Sequence, residues 1–264
     1  MMDWIRGAVL ILGVLLVSAL TGTAHENGSG ADDQHLADLI RDVKPSVVAV
    51  GTYYFNDTPK TSYLGTGFAI GDGRRIITNF HVVEPLVKEN KLARMRIFHK
   101  DLPVKGVKVE IIAQDEFHDL AILEQDSVQL APLAMEQNPD QVREGFEVAF
   151  TGYPIGLILG LNPTTHRGII SNIAPLVKPS PSSRIMDGAL IRHLDQPYEV
   201  YQIDAVAYPG NSGSPVYRTS NGRVIGVINK VFVKGLKEHV LSNPSGITYA
   251  IPIQHAIELN GKTP

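Results

Sequence analysis

The 264-residue chain contains no cysteine. That excludes a disulfide framework, a thiolate zinc site and a cysteine nucleophile. It also lacks a strong charge bias: 24 Lys and Arg stand against 27 Asp and Glu, for a net charge of −3. Nothing in that balance marks nucleic acid or an anionic membrane as the main partner. Tryptophan occurs once, at Trp4. Long helical patterns alternating with strands are missing as well, which argues against a parallel α/β sheet. What remains is ordinary globular composition, 44% hydrophobic and 19% charged. The length suits one large domain or two small ones, and such a chain buries a core without covalent staples.

One apolar run stands apart. Residues 7–20, GAVLILGVLLVSAL, carry no charge and follow Arg6. Gly22-Thr23-Ala24 then places small residues at positions −3 and −1 of a cut after Ala24. Residues 1–24 therefore read as a secretory signal peptide, with an uncleaved membrane anchor as the alternative. Residues 25–34, HENGSGADDQ, read as a flexible linker. Leu36, Leu39, Ile40 and Val43 fall at helical spacing, and Pro45 ends that short helix.

From there short β-rich runs dominate, at 46–54, 67–70, 76–78, 94–99, 108–112, 120–123 and 147–151. They continue at 168–173, 198–203, 215–217, 224–233 and 248–251. This spacing predicts an all-β sandwich or barrel protein. The polar segment 133–144 separates two halves, 178–184 reads as a surface loop, and 253–260 reads as a closing helix.

Three segments carry chemistry. Acyl transfer needs a nucleophile, a base, a group that orients the base, and donors for the developing oxyanion. In Gly210-Asn211-Ser212-Gly213-Ser214-Pro215, small residues flank a serine hydroxyl. Gly210 permits a backbone conformation that turns its N–H toward the same spot as that of Ser212. Alone, such a cluster is more often a simple turn. Ile77-Thr78-Asn79-Phe80-His81 places a candidate base at the end of a strand. His118-Asp119-Leu120-Ala121 opens an apolar strand with a carboxylate, which is costly unless its charge is satisfied. His81 Nδ1–H would satisfy it and leave Nε2 to accept from Ser212. Strand alternation keeps His118 and Asp119 out of one site; Asp119 is the choice, with His118 an exposed neighbour.

The segments TNFHVV, HDLAIL and GNSGSPV occur in the order His, Asp, Ser, which is the chymotrypsin-like order. The wording resembles the HtrA/Deg-type branch of trypsin-like serine proteases. Gly65-Thr66-Gly67-Phe68, Gly152-Tyr153-Pro154, Asp204-Ala205 and Gly246-Ile247-Thr248-Tyr249-Ala250-Ile251-Pro252 match it too, over roughly residues 45–255. The resemblance implies an all-β fold of two six-stranded antiparallel barrels side by side, at 45–135 and 136–264, after a linker and short helix at 25–44. It implies a catalytic triad of His81, Asp119 and Ser212, with the N–H groups of Gly210 and Ser212 as oxyanion hole. It places S1 walls at Val206 and Ala207, at Val227, Ile228 and Asn229, and at Tyr249 and Ala250; no charge stands there, so P1 is expected to be small or medium and apolar.

No cofactor, metal or nucleic acid is expected. The partners are polypeptides, as unfolded or damaged exported proteins in the periplasm or outside the cell. A membrane enters only through an uncleaved leader, and a homotrimer is a family expectation. Two departures stand out. Ser214 replaces a common glycine, and Asn211 replaces the aspartate that digestive relatives pair with a new N-terminus. No C-terminal PDZ domain is expected. The stretches 157–166 and 229–245 are long for connections beside a pocket and read as lids or insertions. Two other readings compete. One is a catalytically inactive homologue that binds peptides or acts as a scaffold. The other is a metal-dependent hydrolase using His81, His118 and Asp119.

Overall fold

The computed structural model describes residues 29–154, 160–176, 197–229 and 247–263. The expected leader at 1–24, residues 25–28 of the expected linker, the expected loop at 178–184, residues 230–245 and residues 157–159 lie outside these. So do residues 230–233 of the expected strand 224–233.

Helix α1 (Ser29–Val43) begins six residues earlier than its apolar spacing alone indicates. The expected linker is therefore helical from Ser29. Asp32 sits in its first turn, where a negative charge offsets the exposed N–H groups of a helix start. Leu39 packs into the main apolar core, and His35 Nε2 lies 3.0 Å from the Thr219 carbonyl.

The first half of the chain forms one antiparallel sheet. Its strands are β1 (Val47–Tyr53), β2 (Thr61–Ile70), β3 (Arg75–Thr78), β4 (Met95–Phe98), β5 (Val107–Lys108), β6 (Glu110–Asp115) and β7 (Leu120–Glu124). Their order is β5-β4-β1-β2-β3-β7-β6. The second half contributes β8 (Glu147–Gly152), β9 (Thr164–Pro175), β10 (Glu199–Asp204), β11 (Pro215–Arg218), β12 (Val224–Asn229) and β13 (Ile247–Pro252). These close into a barrel in the order β10-β13-β12-β11-β8-β9.

The second barrel matches expectation, and the first needs correction. It is an open seven-stranded half-barrel. Its edge strands β5 and β6 are separated only by Val109. Opposite edges of one sheet can be joined by a single residue only if the sheet curls, so the covalent chain brings the edges together where no ladder does.

Near-continuous apolar runs follow from strands buried on both faces. Along β1, Val47 and Ala49 belong to a core shared by the two halves. Val48 and Val50 turn to the other face, into the first sheet's own core. In β7, Leu120 and Ile122 alternate with Ala121 and Leu123 in the same way. In β12, Val227 joins the shared core while Ile225 and Ile228 fill the barrel. In β1 and β7 the period of two sorts one run of aliphatic residues into two cores; in β12 a register shift opposite Val216 and Tyr217 puts Ile225 in the same core as Ile228. The connector 133–144 touches both halves: Leu133 N–H donates to Ala69 O at 2.9 Å, and Glu136 N–H to Val224 O at 2.8 Å.

Helix α2 (Phe80–Lys88) was not anticipated, because Phe-His-Val-Val continues the apolar strand run. Helix α3 (Ile253–Gly261) closes the chain as expected. It is fastened to the first sheet by Arg75, whose Nη1 donates to Asn260 Oδ1 at 3.1 Å and Thr263 Oγ1 at 2.6 Å. His255 of α3 stacks on His118 with ring centres 3.8 Å apart. His118 Nδ1 lies 2.7 Å from Asp115 Oδ2, and Tyr198 meets the His118 ring edge-on at 4.7 Å. His118 is thus half-buried in the seam between the halves, not an exposed neighbour.

This seam makes stability pH-dependent. The His118 hydrogen bond holds the Asp115 carboxyl down at about 2, against the desolvation that would raise it. Burial first, and the charge of His118 second, push His255 down to about 4, with Glu258 and Asp115 opposing. Both folded values lie below the ordinary ones, so the unfolded chain binds more protons as pH falls. Stability should therefore drop first between about 6.5 and about 4, as unfolded His255 charges, and again between about 3.8 and about 2. Urea midpoints measured across this range should show both losses. His255→Phe, which keeps a stacked ring without a proton site, should flatten the first.

Candidate active site

The site begins at the start of α2. The first N–H groups of a helix have no partner within it. Here Asp119 supplies them from another segment. Its backbone carbonyl accepts from Phe80 N–H at 3.2 Å, and its Oδ1 accepts from His81 N–H at 2.8 Å. Asn79 Nδ2 adds a bond to the same carbonyl at 3.1 Å. Asp119 precedes β7 with φ of 56°, in the left-handed region that short polar side chains tolerate best. That kink replaces strand alternation as the reason His118 and Asp119 diverge.

The second carboxylate oxygen holds the imidazole. His81 Nδ1 stands 2.6 Å from Asp119 Oδ2, with the two side chains 25% and 16% exposed. A carboxylate only accepts, so Nδ1 carries a proton, and in the neutral ring this tautomer leaves the lone pair on Nε2. Asn229 Nδ2 donates to the same oxygen at 2.7 Å. Asn229 lies on β12, so the second half of the chain contributes to this charge. Sequence reasoning placed Asn229 on the S1 wall and missed this bond; a polar residue ending the apolar run VIGVIN was the available signal.

The serine loop is clamped from both halves. Ser212 C=O accepts from Thr66 N–H of β2 at 2.8 Å, and Gly213 N–H donates to Ile228 O of β12 at 3.0 Å. A side chain on Gly65 would stand 3.0 Å from Ser212 O and 2.7 Å from Val82 Cγ2, the residue after His81. The three segments singled out by sequence are therefore neighbours. Ser212 is nearly buried, at 6% exposed. Gly210 has φ of 98° and Gly213 φ of 87°. Asn211 N–H donates to Tyr208 O at 3.0 Å. With Pro209 second and Gly210 third, the tetrapeptide 208–211 has the pattern of a type II turn. Asn211 is fully buried, and its amide group has no hydrogen-bond partner among the described residues.

The expected S1 residues separate into two sets. Val206, Ala207 and Tyr249 keep some surface. Val227 packs between the halves, while Ile228 and Ala250 lie inside the barrel. Thr248 Oγ1 staples the first wall, accepting from Ala207 N–H at 2.9 Å and donating to Ala205 O at 2.6 Å. His166 of β9 was not foreseen; it stacks on Phe150 at 4.9 Å and lies 5.8 Å from Tyr208. The constellation of His81, His118 and Asp119 is not assembled, since His118 is held by Asp115 and His255.

Gly213 allows a direct check of the clamp. A Cβ there would collide with the Thr66 carbonyl, in a left-handed backbone that costs a non-glycine residue about 1–2 kcal/mol before any clash. Gly213→Ala should lower the urea midpoint clearly, whereas Gly71→Ala, at φ of 63° with open space around it, should show the backbone cost alone.

Residues 65–227 match the family model for a trypsin-like peptidase domain. A probable periplasmic serine endoprotease, DegP-like, of Halomonas elongata is 30% identical over 200 residues, covering 74% of this chain and 34% of that protein. The serine protease Do-like HtrB of Bacillus subtilis is 28% identical over 246 residues, 86% of this chain and 48% of that one. The chain thus spans about a third to a half of these relatives' length. Among solved structures, Deg5 superposes with a TM-score of 0.59 at 23% identity, covering 86% of this chain and 92% of that one. The HtrA-type protease AlgW with a tripeptide gives 0.56 at 21%, covering 86% and 62%. At such identities the structural likeness establishes the fold, and the family model, spanning more than half of the sequence, establishes the kinship: the chain belongs to the trypsin-like peptidase family, with its curated matches among the HtrA and DegP serine proteases.

Proposed function

We propose that the chain is a serine endopeptidase working through Ser212, His81 and Asp119. The observation that carries this reading is the 2.6 Å contact between His81 Nδ1 and Asp119 Oδ2, together with a serine loop clamped by β2 and β12. Ser212 Oγ attacks the scissile carbonyl carbon while His81 Nε2 takes its proton. The carbonyl oxygen becomes an oxyanion and accepts from Gly210 N–H and Ser212 N–H. The C–N bond then breaks, His81 returns the proton to the leaving amine, and an acyl-enzyme remains. Water attacks that ester with His81 again as base, which frees the acid product and Ser212.

The uncharged wall at Val206 supports cleavage after small or medium apolar residues. The apolar run read as a leader at 1–24 supports action on exported polypeptides outside the cytoplasm, and the name of the Halomonas relative calls that protein periplasmic. A casein digest with cleavage sites mapped by mass spectrometry tests both points. Wild type should cut mainly after apolar residues and Ser212→Ala should not cut at all. Cleavage by the variant would overturn the triad, and a map dominated by Arg or Lys would overturn the pocket. A wild type that neither cuts nor reacts with a fluorophosphonate would favour the inactive, peptide-binding reading instead.

Asn229 belongs in the same machinery as a donor to the orienting carboxylate. A hydrogen bond to a charged group contributes about 1.5–3 kcal/mol. Asn229→Ala should therefore lower kcat/KM by about 10- to 100-fold, as steady-state hydrolysis of a peptide substrate will report.

A further inference from the structure

The motif Gly65-Thr66-Gly67-Phe68 has no part in the triad, yet Thr66 is fully buried and every one of its polar atoms is engaged. Its N–H donates to the Ser212 carbonyl at 2.8 Å. Its hydroxyl donates to the Gly210 carbonyl at 2.7 Å and accepts from Tyr153 N–H at 3.0 Å. Its own carbonyl accepts from Thr78 Oγ1 at 2.7 Å, and Thr78 is three residues before His81.

These contacts have a specific target. Gly210 and Ser212 are the two residues whose N–H groups the proposed reaction uses. Thr66 grips the carbonyls of both. The peptide plane joining Gly210 to Asn211 is held at its two ends, the C=O by Thr66 Oγ1 and the N–H by Tyr208 O. Rotation about Gly210 is otherwise cheap, because glycine populates left- and right-handed backbone about equally. The Tyr208–Asn211 bond closes the turn on itself and does not fix the turn against the sheet. The hydroxyl of Thr66 comes from outside the turn and fixes where Gly210 stands relative to β2.

We propose that Thr66 is a positioning residue for the oxyanion hole, its hydroxyl holding the Gly210 carbonyl and its N–H the Ser212 carbonyl, so that the two residues that supply the oxyanion donors are fixed in place relative to β2. This rests on the serine-endopeptidase reading above. The hydroxyl touches no substrate and acts only through the turn. Its loss should therefore weaken the transition state more than substrate binding.

The test compares Thr66→Val, which keeps the shape without the hydroxyl, with Thr66→Ser, which keeps the hydroxyl, and with Thr66→Ala. Each is assayed for kcat and KM on a peptide substrate and for its urea midpoint. Losing one oxyanion donor lowers kcat by about 10²- to 10³-fold. Thr66→Val should approach that loss with KM within about threefold of wild type, and Thr66→Ser should restore kcat to within about threefold. A Thr66→Val enzyme with near-normal kcat would overturn the proposal. So would a loss carried entirely by KM, or one that serine does not restore. If both the valine and alanine variants fail to fold while the serine variant is active, Thr66 serves the fold, and the positioning role is again rejected. A wild type without hydrolytic activity would instead defeat the underlying enzyme reading, so the two failures are distinct.

Discussion

The half-buried carboxylate of Asp119 is the constraint on which this site depends. A charge removed from water is tolerated only where donors replace the lost hydration. Three N–H donors do so here: the His81 backbone, the His81 ring and the Asn229 amide. The first two belong to the start of α2 and the third to β12. One charge therefore joins a helix on the first sheet to a strand of the barrel. The same arrangement satisfies the open end of α2 and adds a negative charge at the positive end of its dipole. Folding and chemistry draw on the same contacts: what caps the helix also orients the imidazole.

The two-sided burial of the strands explains why that joint is stiff. Residues one apart along β1, β7 and β12 point into different cores. A shift of one residue in any of them would exchange the contents of two cores at once. Register is thus fixed from both faces, and with it the ends of β3, β7 and β12, where His81, Asp119 and Asn229 emerge. Interiors packed at crystal-like density transmit such constraints with little slack. The serine loop takes advantage of this, since its clamps come from β2 and β12 and not from neighbours in sequence.

Much of this was readable from the letters, and the failures have physical causes. Short β-rich runs located eleven of the thirteen strands, because period and turn residues are local signals. The brief β5 was merged with β6, since only Val109 divides them. Closure of the first sheet was misjudged because pairing between distant edges leaves no local trace. Helix α2 was hidden because FHVV suits a buried helix turn as well as a strand. The segments around His81, Asp119 and Ser212 were found because their residue types are costly in apolar surroundings unless used. Asn229 and Thr66 were seen only as members of motifs. Their roles depend on which atoms they meet across the sheet boundary, and that information is tertiary. His118 was misplaced because the partners that bury it, Tyr198 and His255, lie far along the chain.

Asn211 shows how the loop differs from one held by an ion pair. An aspartate at this fully buried position would carry a charge, and an unpaired buried charge costs several kcal/mol. Such a loop would need a counter-ion delivered from elsewhere. An unpaired amide costs about 1–3 kcal/mol, a smaller debt. The bonds from Thr66 and Ile228 to the loop's backbone, together with the packing of Gly152 against Ser214 and Asn211, can offset a debt of that size. Gly152 is required in this account, because a side chain there would collide with Ser214 Oγ. The neutral residue at 211, the glycine at 152 and the hydroxyl at 66 are thus one solution: the loop is held by backbone hydrogen bonds from both halves of the chain, and its shape demands no buried ion.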